Sequence, residues 1–234
     1  MFNLNDNLKN KKLLIYGYGK SGHAAYNYLK KNNKILIYDD NKKLNKFFIS
    51  LKKIQLTEFD YIVLSPGIDI NNCKLKNYIK KNKKKIITDL DIFYLNNPNN
   101  LKITITGTNG KSTTAKLLFN ILKDQNKEVI LAGNIGIPIL SKSKIKPDTI
   151  FVIEASSYQI DYSQYFKTDY AFILNISPDH LERHKTIQNY AHAKFKLILN
   201  QKKFFYAFVE KNKYLNREIK KYKVKSKIIK VNEN

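Results

Sequence analysis

The sequence predicts an α/β protein built from two parallel-sheet domains, and three observations carry that prediction. Short apolar, β-rich runs alternate with helix-forming stretches along most of the 234 residues, the pattern of repeated βαβ units. Two of these runs feed glycine turns that open a helix. Lys12 to Tyr16 leads into Gly17-Tyr18-Gly19-Lys20-Ser21-Gly22, and Ile103 to Ile105 leads into Gly107-Thr108-Asn109-Gly110-Lys111-Ser112-Thr113. Between them Asn96 to Asn100 reads NNPNN, the turn-rich composition of a linker. The expected organisation is a Rossmann-like domain over 1–95, a linker over 96–100 and a P-loop-type parallel-sheet domain over 101–234.

The first domain is expected to run strand (Lys12 to Tyr16), helix (His23 to Lys31) and strand (Ile35 to Tyr38), ending in Asp39-Asp40. Dinucleotide folds place an acidic residue for a ribose at that point, and G-x-G-x-x-G between strand and helix suits a nucleotide-type ligand. A merely tight turn has the same spelling. A third strand, Tyr61 to Leu64, ends in Ser65-Pro66-Gly67-Ile68 and should face the same crevice. A helix (Lys74 to Lys83), a short strand (Lys85 to Ile87) and a helix (Asp89 to Tyr94) complete this half.

In the second domain a helix should follow the glycine loop from Lys111 to about Gln125. Strands are expected over Val129 to Leu131, Thr149 to Ile153 (apolar enough to be central) and Tyr170 to Ile176. Thr186 to Asn200 reads as a helix with Tyr190, Ala193, Leu197 and Ile198 inward. The tail reads strand (Lys203 to Val209), helix (Asn212 to Tyr222), strand (Lys227 to Val231).

The chemistry concentrates in the second glycine loop. Its backbone N–H groups can curl around an anion at the positive end of the following helix. Lys111 would reach the β- and γ-phosphates, and the Ser112 hydroxyl would hold Mg²⁺. The usual pattern has a further glycine where this chain has Ile105, and an ordinary strand-to-helix turn is the alternative. Glu154, at the tip of an apolar strand, suits the second Mg²⁺ anchor. His180 and His184 lie in SPDHLERH, where Pro178 opposes a long helix and no cysteine is near, so a zinc pair is not expected.

Composition narrows the partners. The formal charge is +24, which taken alone suggests nucleic acid. The excess is almost all lysine, spread along a chain also rich in Asn, Ile, Tyr and Phe. A/T-rich coding favours all five types, so no nucleic-acid partner is expected. The single cysteine, Cys73, excludes an internal disulfide and fits a reducing compartment. The polar start, MFNLNDNLKNKK, has no secretory h-region, and no apolar run approaches a membrane span. A cytoplasmic protein is expected.

GTNGKSTT, GNIGIP, EASSYQI, NISPDHLERH and YAHAKFKLI, in this order and spacing, resemble the ATP domain of the Mur ligases. GYGKSG, SPGI and EASSYQI are most similar to the branch that joins D-glutamate to UDP-N-acetylmuramoyl-L-alanine in peptidoglycan precursor synthesis. The resemblance implies ATP and two Mg²⁺ ions, an acyl-phosphate intermediate and a monomer. It implies ATP binding at Gly107, Thr108, Asn109, Gly110, Lys111, Ser112 and Thr113, and catalysis by Lys111, Glu154, His180 and Lys194. The metals would fall to Ser112, Glu154, His180 and Lys194, the last as a carbamate. The muramoyl arm would lie near Asn134, Ser156 and Gln159. The UDP group would lie at Gly17, Tyr18, Gly19, Lys20, Ser21, Gly22, Asp39, Ser65, Pro66 and Gly67. The family's third domain, which carries the D-glutamate pocket, has no counterpart here, and the ATP domain itself reads as incomplete. The alternatives are a non-catalytic nucleotide or UDP-sugar module, another Mur or folylpolyglutamate-type ligase, and a nicotinamide dehydrogenase. The last leaves the second glycine loop and Glu154 without a role.

Overall fold

A computed structural model of the protein describes residues 8–41, 48–141 and 145–231. Residues 1–7, most of the polar start read above, lie outside the described residues. The chain divides into two compact units, one comprising the residues up to 96 with 138–141 and 162–164, the other the remainder.

The first unit holds β1 (Lys12–Tyr16), α1 (Lys20–Leu29), β2 (Lys34–Tyr38), α2 (Leu51–Gln55), β3 (Tyr61–Leu64), α3 (Lys76–Lys81), β4 (Ile86–Ile87) and α4 (Asp89–Asn96). The four strands form a parallel sheet in the order β2-β1-β3-β4. Leu13, Leu14, Ile15 and Tyr16 are all fully buried, as a continuous apolar run must be in a parallel strand covered on both faces. Because β2 and β3 flank β1 on opposite sides, the winding of the chain reverses there and opens a crevice at the strands' carboxyl ends.

The glycine turn fits this crevice closely. Gly17 has φ +90°, and a Cβ added at Gly22 would sit 2.0 Å from the Gly17 carbonyl oxygen. The start of α1 therefore lies against the turn with no room for a methyl group. Gly22→Ala is expected to cost at least about 2–3 kcal/mol through overpacking against backbone. Chemical denaturation measures this, and parental stability in the variant would contradict the close approach.

The second unit holds β5 (Lys102–Thr106), α5 (Lys111–Asp124), β6 (Val129–Gly133), β7 (Ile150–Glu154), β8 (Tyr170–Ile173), α7 (Leu181–His184), α8 (Ile187–Leu199), β9 (Tyr206–Glu210), α9 (Lys213–Lys221) and β10 (Lys227–Val231). A short helix, α6 (Ser157–Tyr162), follows β7. The six strands are parallel in the order β10-β9-β8-β5-β7-β6, so β5 and β7 both have neighbours on each side. The face under α8 is sealed by Ala171, Ile173, Ala207 and Val209. On the other face Phe172 stacks on Phe208 with ring centroids 4.6 Å apart.

Several boundaries move from their expected places, for local reasons. α1 starts at Lys20 rather than His23 because the turn itself supplies the first helical residues. β8 stops at Ile173 rather than Ile176, since Asn175 turns into the glycine loop. β9 starts at Tyr206 rather than Lys203. Before it the Gln201 amide donates to Thr168 O, Asp169 O and Tyr206 O and holds a turn. Lys102, on β5, is 1% exposed and donates to the Pro98 and Asn100 carbonyls. Burial pushes its amine down to about 8.

Candidate functional site

The carboxyl edge of the second sheet gathers the loops that follow β5, β6, β7 and β8. After Thr106 the chain passes Gly107 (φ +156°) and turns at Gly110 (φ +77°), which opens α5. Asn175, just past β8, holds the loop in shape. Its side-chain oxygen accepts from Thr108 N at 3.1 Å and Asn109 N at 2.7 Å, and its amide donates to Asn109 O at 3.2 Å. Sequence reasoning missed Asn175, although it lies in the NISPDHLERH stretch.

Lys111 folds back and donates to Thr108 O at 2.6 Å. Beside it, Ser112 Oγ donates to Glu154 Oε2 at 2.7 Å, and Asn134 Nδ2 donates to Glu154 Oε1 at 2.8 Å. The Asn134 loop is fitted to β7 through its backbone. Asn134 N donates to Glu154 O at 2.9 Å, and a Cβ at Gly133 would lie 2.3 Å from that oxygen. Glu154 is 1% exposed, so its oxygens are satisfied by these donors in place of bulk water. The structure thus brings Lys111, Ser112, Asn134 and Glu154 together. Ser112 and Glu154 are hard oxygen donors side by side, the chemistry that suits Mg²⁺.

Ser156 and Gln159 meet each other. Gln159 N donates to Ser156 Oγ at 3.3 Å, and Ser156 N donates to Gln159 Oε1 at 3.0 Å. This reciprocal cap starts α6. His180 sits in a left-handed conformation (φ 54°) ahead of α7, with Nε2 3.4 Å from Asp179 Oδ2 and Nδ1 3.7 Å from Glu182 Oε1. Tyr158 lies between the two histidines, its ring centroid 5.0 Å from that of His180 and 5.4 Å from that of His184. The Arg183 guanidinium lies 3.9 Å over the Tyr158 ring. His184 is buried against Ser157 Oγ at 3.0 Å, and burial pushes its ring down from the usual imidazole range.

Lys194, on α8, is 1% exposed and donates to Gly107 O at 2.8 Å and Thr106 Oγ1 at 3.4 Å, behind the glycine loop. Burial first, and the Lys111 charge second, lower its amine to about 7 against the opposing pull of Asp179 and Glu154. Such an amine is neutral in large part near neutral pH.

In the first unit the Gly17–Gly22 turn is braced from both flanking strands. Tyr18 N donates to Asp39 Oδ2 at 2.7 Å, and Ser65 Oγ donates to Gly17 O at 2.7 Å. Asn41 N takes the other Asp39 oxygen at 3.0 Å, so Asp39 holds two backbone groups of the crevice wall. Asp40 accepts from Tyr16 OH at 2.9 Å. A cavity of about 520 Å³ lies beside them, walled by Tyr38 to Asn41, Phe48 to Leu51 and Lys74. Phe48 and Lys74 carried no motif that would mark them in the sequence. Among the described residues no helix is long and apolar enough to cross a membrane.

Residues 105–234 match the family model of the Mur ligase middle domain. A UDP-N-acetylmuramoylalanine--D-glutamate ligase of Rickettsia felis is 35% identical over 89% of this chain and 48% of its own length. One from Caldicellulosiruptor bescii is 34% identical over 91% of this chain and 50% of its own. The chain therefore spans about half the length of these relatives. Among solved structures, the UDP-N-acetylmuramate:L-alanyl-gamma-D-glutamyl-meso-diaminopimelate ligase from Neisseria meningitides superposes with a TM-score of 0.59 at 14% identity. That match covers 94% of this chain and 78% of the other, a likeness of fold.

Proposed function

This chain belongs to the Mur ligase family, and from that premise we propose that it forms the nucleotide- and UDP-substrate-binding half of an ATP-dependent, cytoplasmic amide ligase. The reaction is the joining of D-glutamate to UDP-N-acetylmuramoyl-L-alanine. The observation that carries this reading is the cluster at one sheet edge: a clamped glycine loop, Lys111, and Ser112 hydrogen-bonded to Glu154.

A carboxylate is a poor electrophile, which explains the need for ATP. An oxygen of the alanyl carboxylate attacks the γ-phosphorus, the bond to ADP breaks, and an acyl phosphate forms. The amine of D-glutamate then attacks the acyl carbon, loses a proton and expels phosphate. The loop from Gly107 to Thr113 holds the phosphates through its N–H groups, and Lys111 stabilises the negative charge on the transferred group. Ser112, Glu154, His180 and carbamylated Lys194 would hold the Mg²⁺ ions, which neutralise phosphate charge when bound. The carbamate needs a neutral amine: the Lys194 nitrogen pair bonds to the carbon of CO₂, a C–O pair becomes the anionic oxygen, and one N–H proton leaves to solvent. Asn134, Ser156 and Gln159 face the muramoyl arm. The Gly17–Gly22 turn, Asp39 and Ser65, Pro66 and Gly67 take the UDP group.

The D-glutamate pocket belongs to the half of the relatives that this chain does not span. The expected result is that residues 1–234 bind Mg·ATP and UDP-N-acetylmuramoyl-L-alanine in calorimetry, yet form amide very slowly. Positioning of the amine contributes roughly 7–11 kcal/mol of barrier lowering in well-oriented reactions. A fragment that ligates D-glutamate at an ordinary enzymatic rate would overturn this division. A fragment that binds neither ligand would overturn the function.

A further inference from the structure

Tyr190 lies on the inner face of α8, 1% exposed. Its hydroxyl stands 3.3 Å from Thr108 Oγ1 in the phosphate loop. Among the described residues that is the phenol's only hydrogen-bond partner, so the direction of the bond can be worked out. Thr108 Oγ1 also lies 3.2 Å from the Ser177 carbonyl, which can only accept, and takes the Ser177 N–H at 3.0 Å. A hydroxyl has one proton and two lone pairs. The Thr108 proton goes to Ser177 O, one lone pair takes Ser177 N–H, and the second takes the proton of Tyr190. The reverse choice would strand the phenol's own proton in the interior, at a cost larger than an ordinary hydrogen bond returns. The Tyr190 ring meets the rest of the site with its faces and edges. Its centroid is 4.5 Å from Lys194 Nζ, 5.3 Å from the His184 ring and 6.2 Å from the His180 ring.

We propose that Tyr190 is a positioning residue for the phosphate loop, donating to Thr108 and so fixing that loop against the Ser177-to-His180 loop. The proposal rests on the nucleotide-binding reading above. Thr108 is one turn of loop from Lys111, whose ammonium is itself held by the Thr108 carbonyl. Without Tyr190 the Thr108 hydroxyl keeps its two bonds to Ser177 but loses the third, which orients it from the α8 side where the two loops meet.

The test is Mg·ATP calorimetry on the 234-residue chain with four proteins: parent, Lys111→Ala, Tyr190→Phe and Thr108→Val. Tyr190→Phe keeps the ring and its contacts with Lys194 and the histidines, and loses only the donor. Its affinity is expected to fall about five- to twenty-fold. In the Thr108→Val background the same change should have no further effect, because contacting residues that act through one bond are not additive. A Tyr190→Phe protein that melts earlier but binds Mg·ATP like the parent would overturn the proposal and leave Tyr190 a packing residue. An equal, additive loss in the Thr108→Val background would overturn it too. Should the parent not bind Mg·ATP, the nucleotide reading fails, and this proposal falls with it. Should the parent bind, Lys111→Ala fail to bind and Tyr190→Phe bind normally, only the role of Tyr190 is lost.

Discussion

Lys111→Ala is expected to weaken Mg·ATP binding by about 2–5 kcal/mol, since it removes one partner of a desolvated, charge-assisted contact. That corresponds to roughly 30- to 4,000-fold in the dissociation constant. Without nucleotide the ammonium is satisfied by the carbonyl of Thr108, within its own loop. On the phosphate assignment, nucleotide binding would exchange that neutral acceptor for phosphate oxygens, and the affinity would arise in that exchange. The alternative, in which Lys-Ser simply opens a helix, gives Lys111 no anion to meet. It predicts equal affinities for parent and variant. Thermal melting should show little change in either case, because the side chain is only half-buried and seals no core. Calorimetry that finds the two proteins indistinguishable would remove the phosphate assignment, and with it the main support for an ATP-dependent reaction.

The features that sequence made legible were local ones. Both glycine turns are contiguous strings whose geometry follows from the residues themselves, and Gly17, Gly22, Gly107 and Gly110 sit where those strings require. The longer helices were legible because their apolar periods run through several turns, and the strands because each is a compact apolar run. The helix α2 escaped because it spans Leu51–Gln55 only, too short for a helical period to show, and α6 for the same reason. Side-chain partners drawn from distant parts of the chain were harder still. Asn175 grips Asn109 across 66 positions, and nothing in an asparagine after a strand announces its target. Asp39 was legible as an acid at a strand end. Its use was not: its oxygens hold the N–H groups of Tyr18 and Asn41. Buried lysines defeat composition altogether, since in a chain with 43 Lys and Arg each looks like solvated surface. Lys194 was found only through family resemblance, and Lys102 was not found.

Lys194→Met is expected to change both the pH dependence of stability and the chemistry of the site. In the folded chain the amine is held down at about 7, against 10.5 for an ordinary lysine. Between those values the unfolded chain binds a proton that the folded chain does not. Stability therefore rises with pH across that window, by up to about 1.4 kcal/mol per unit from this one group. Below about pH 7 both states are protonated and the penalty of burying the charge is constant. In metal-free, CO₂-depleted buffer, Lys194→Met should gain most over the parent near pH 6–7, and the gain should shrink toward pH 9. Lys102, held at about 8, adds a slope of the same sign to both proteins and cancels in the difference. The same lowered amine is what CO₂ requires. With Mg²⁺ and ¹³C-labelled bicarbonate, the parent should show a carbamate carbonyl signal in NMR that Lys194→Met lacks. Mg·ATP affinity should fall in the variant as an anionic oxygen donor is lost. A pH-independent stability difference would show that Lys194 is not the group held neutral. If the stability difference is as expected but the parent gives no carbamate signal, Lys194 is a buried clamp on the Gly107 carbonyl and the metals must find their oxygens elsewhere.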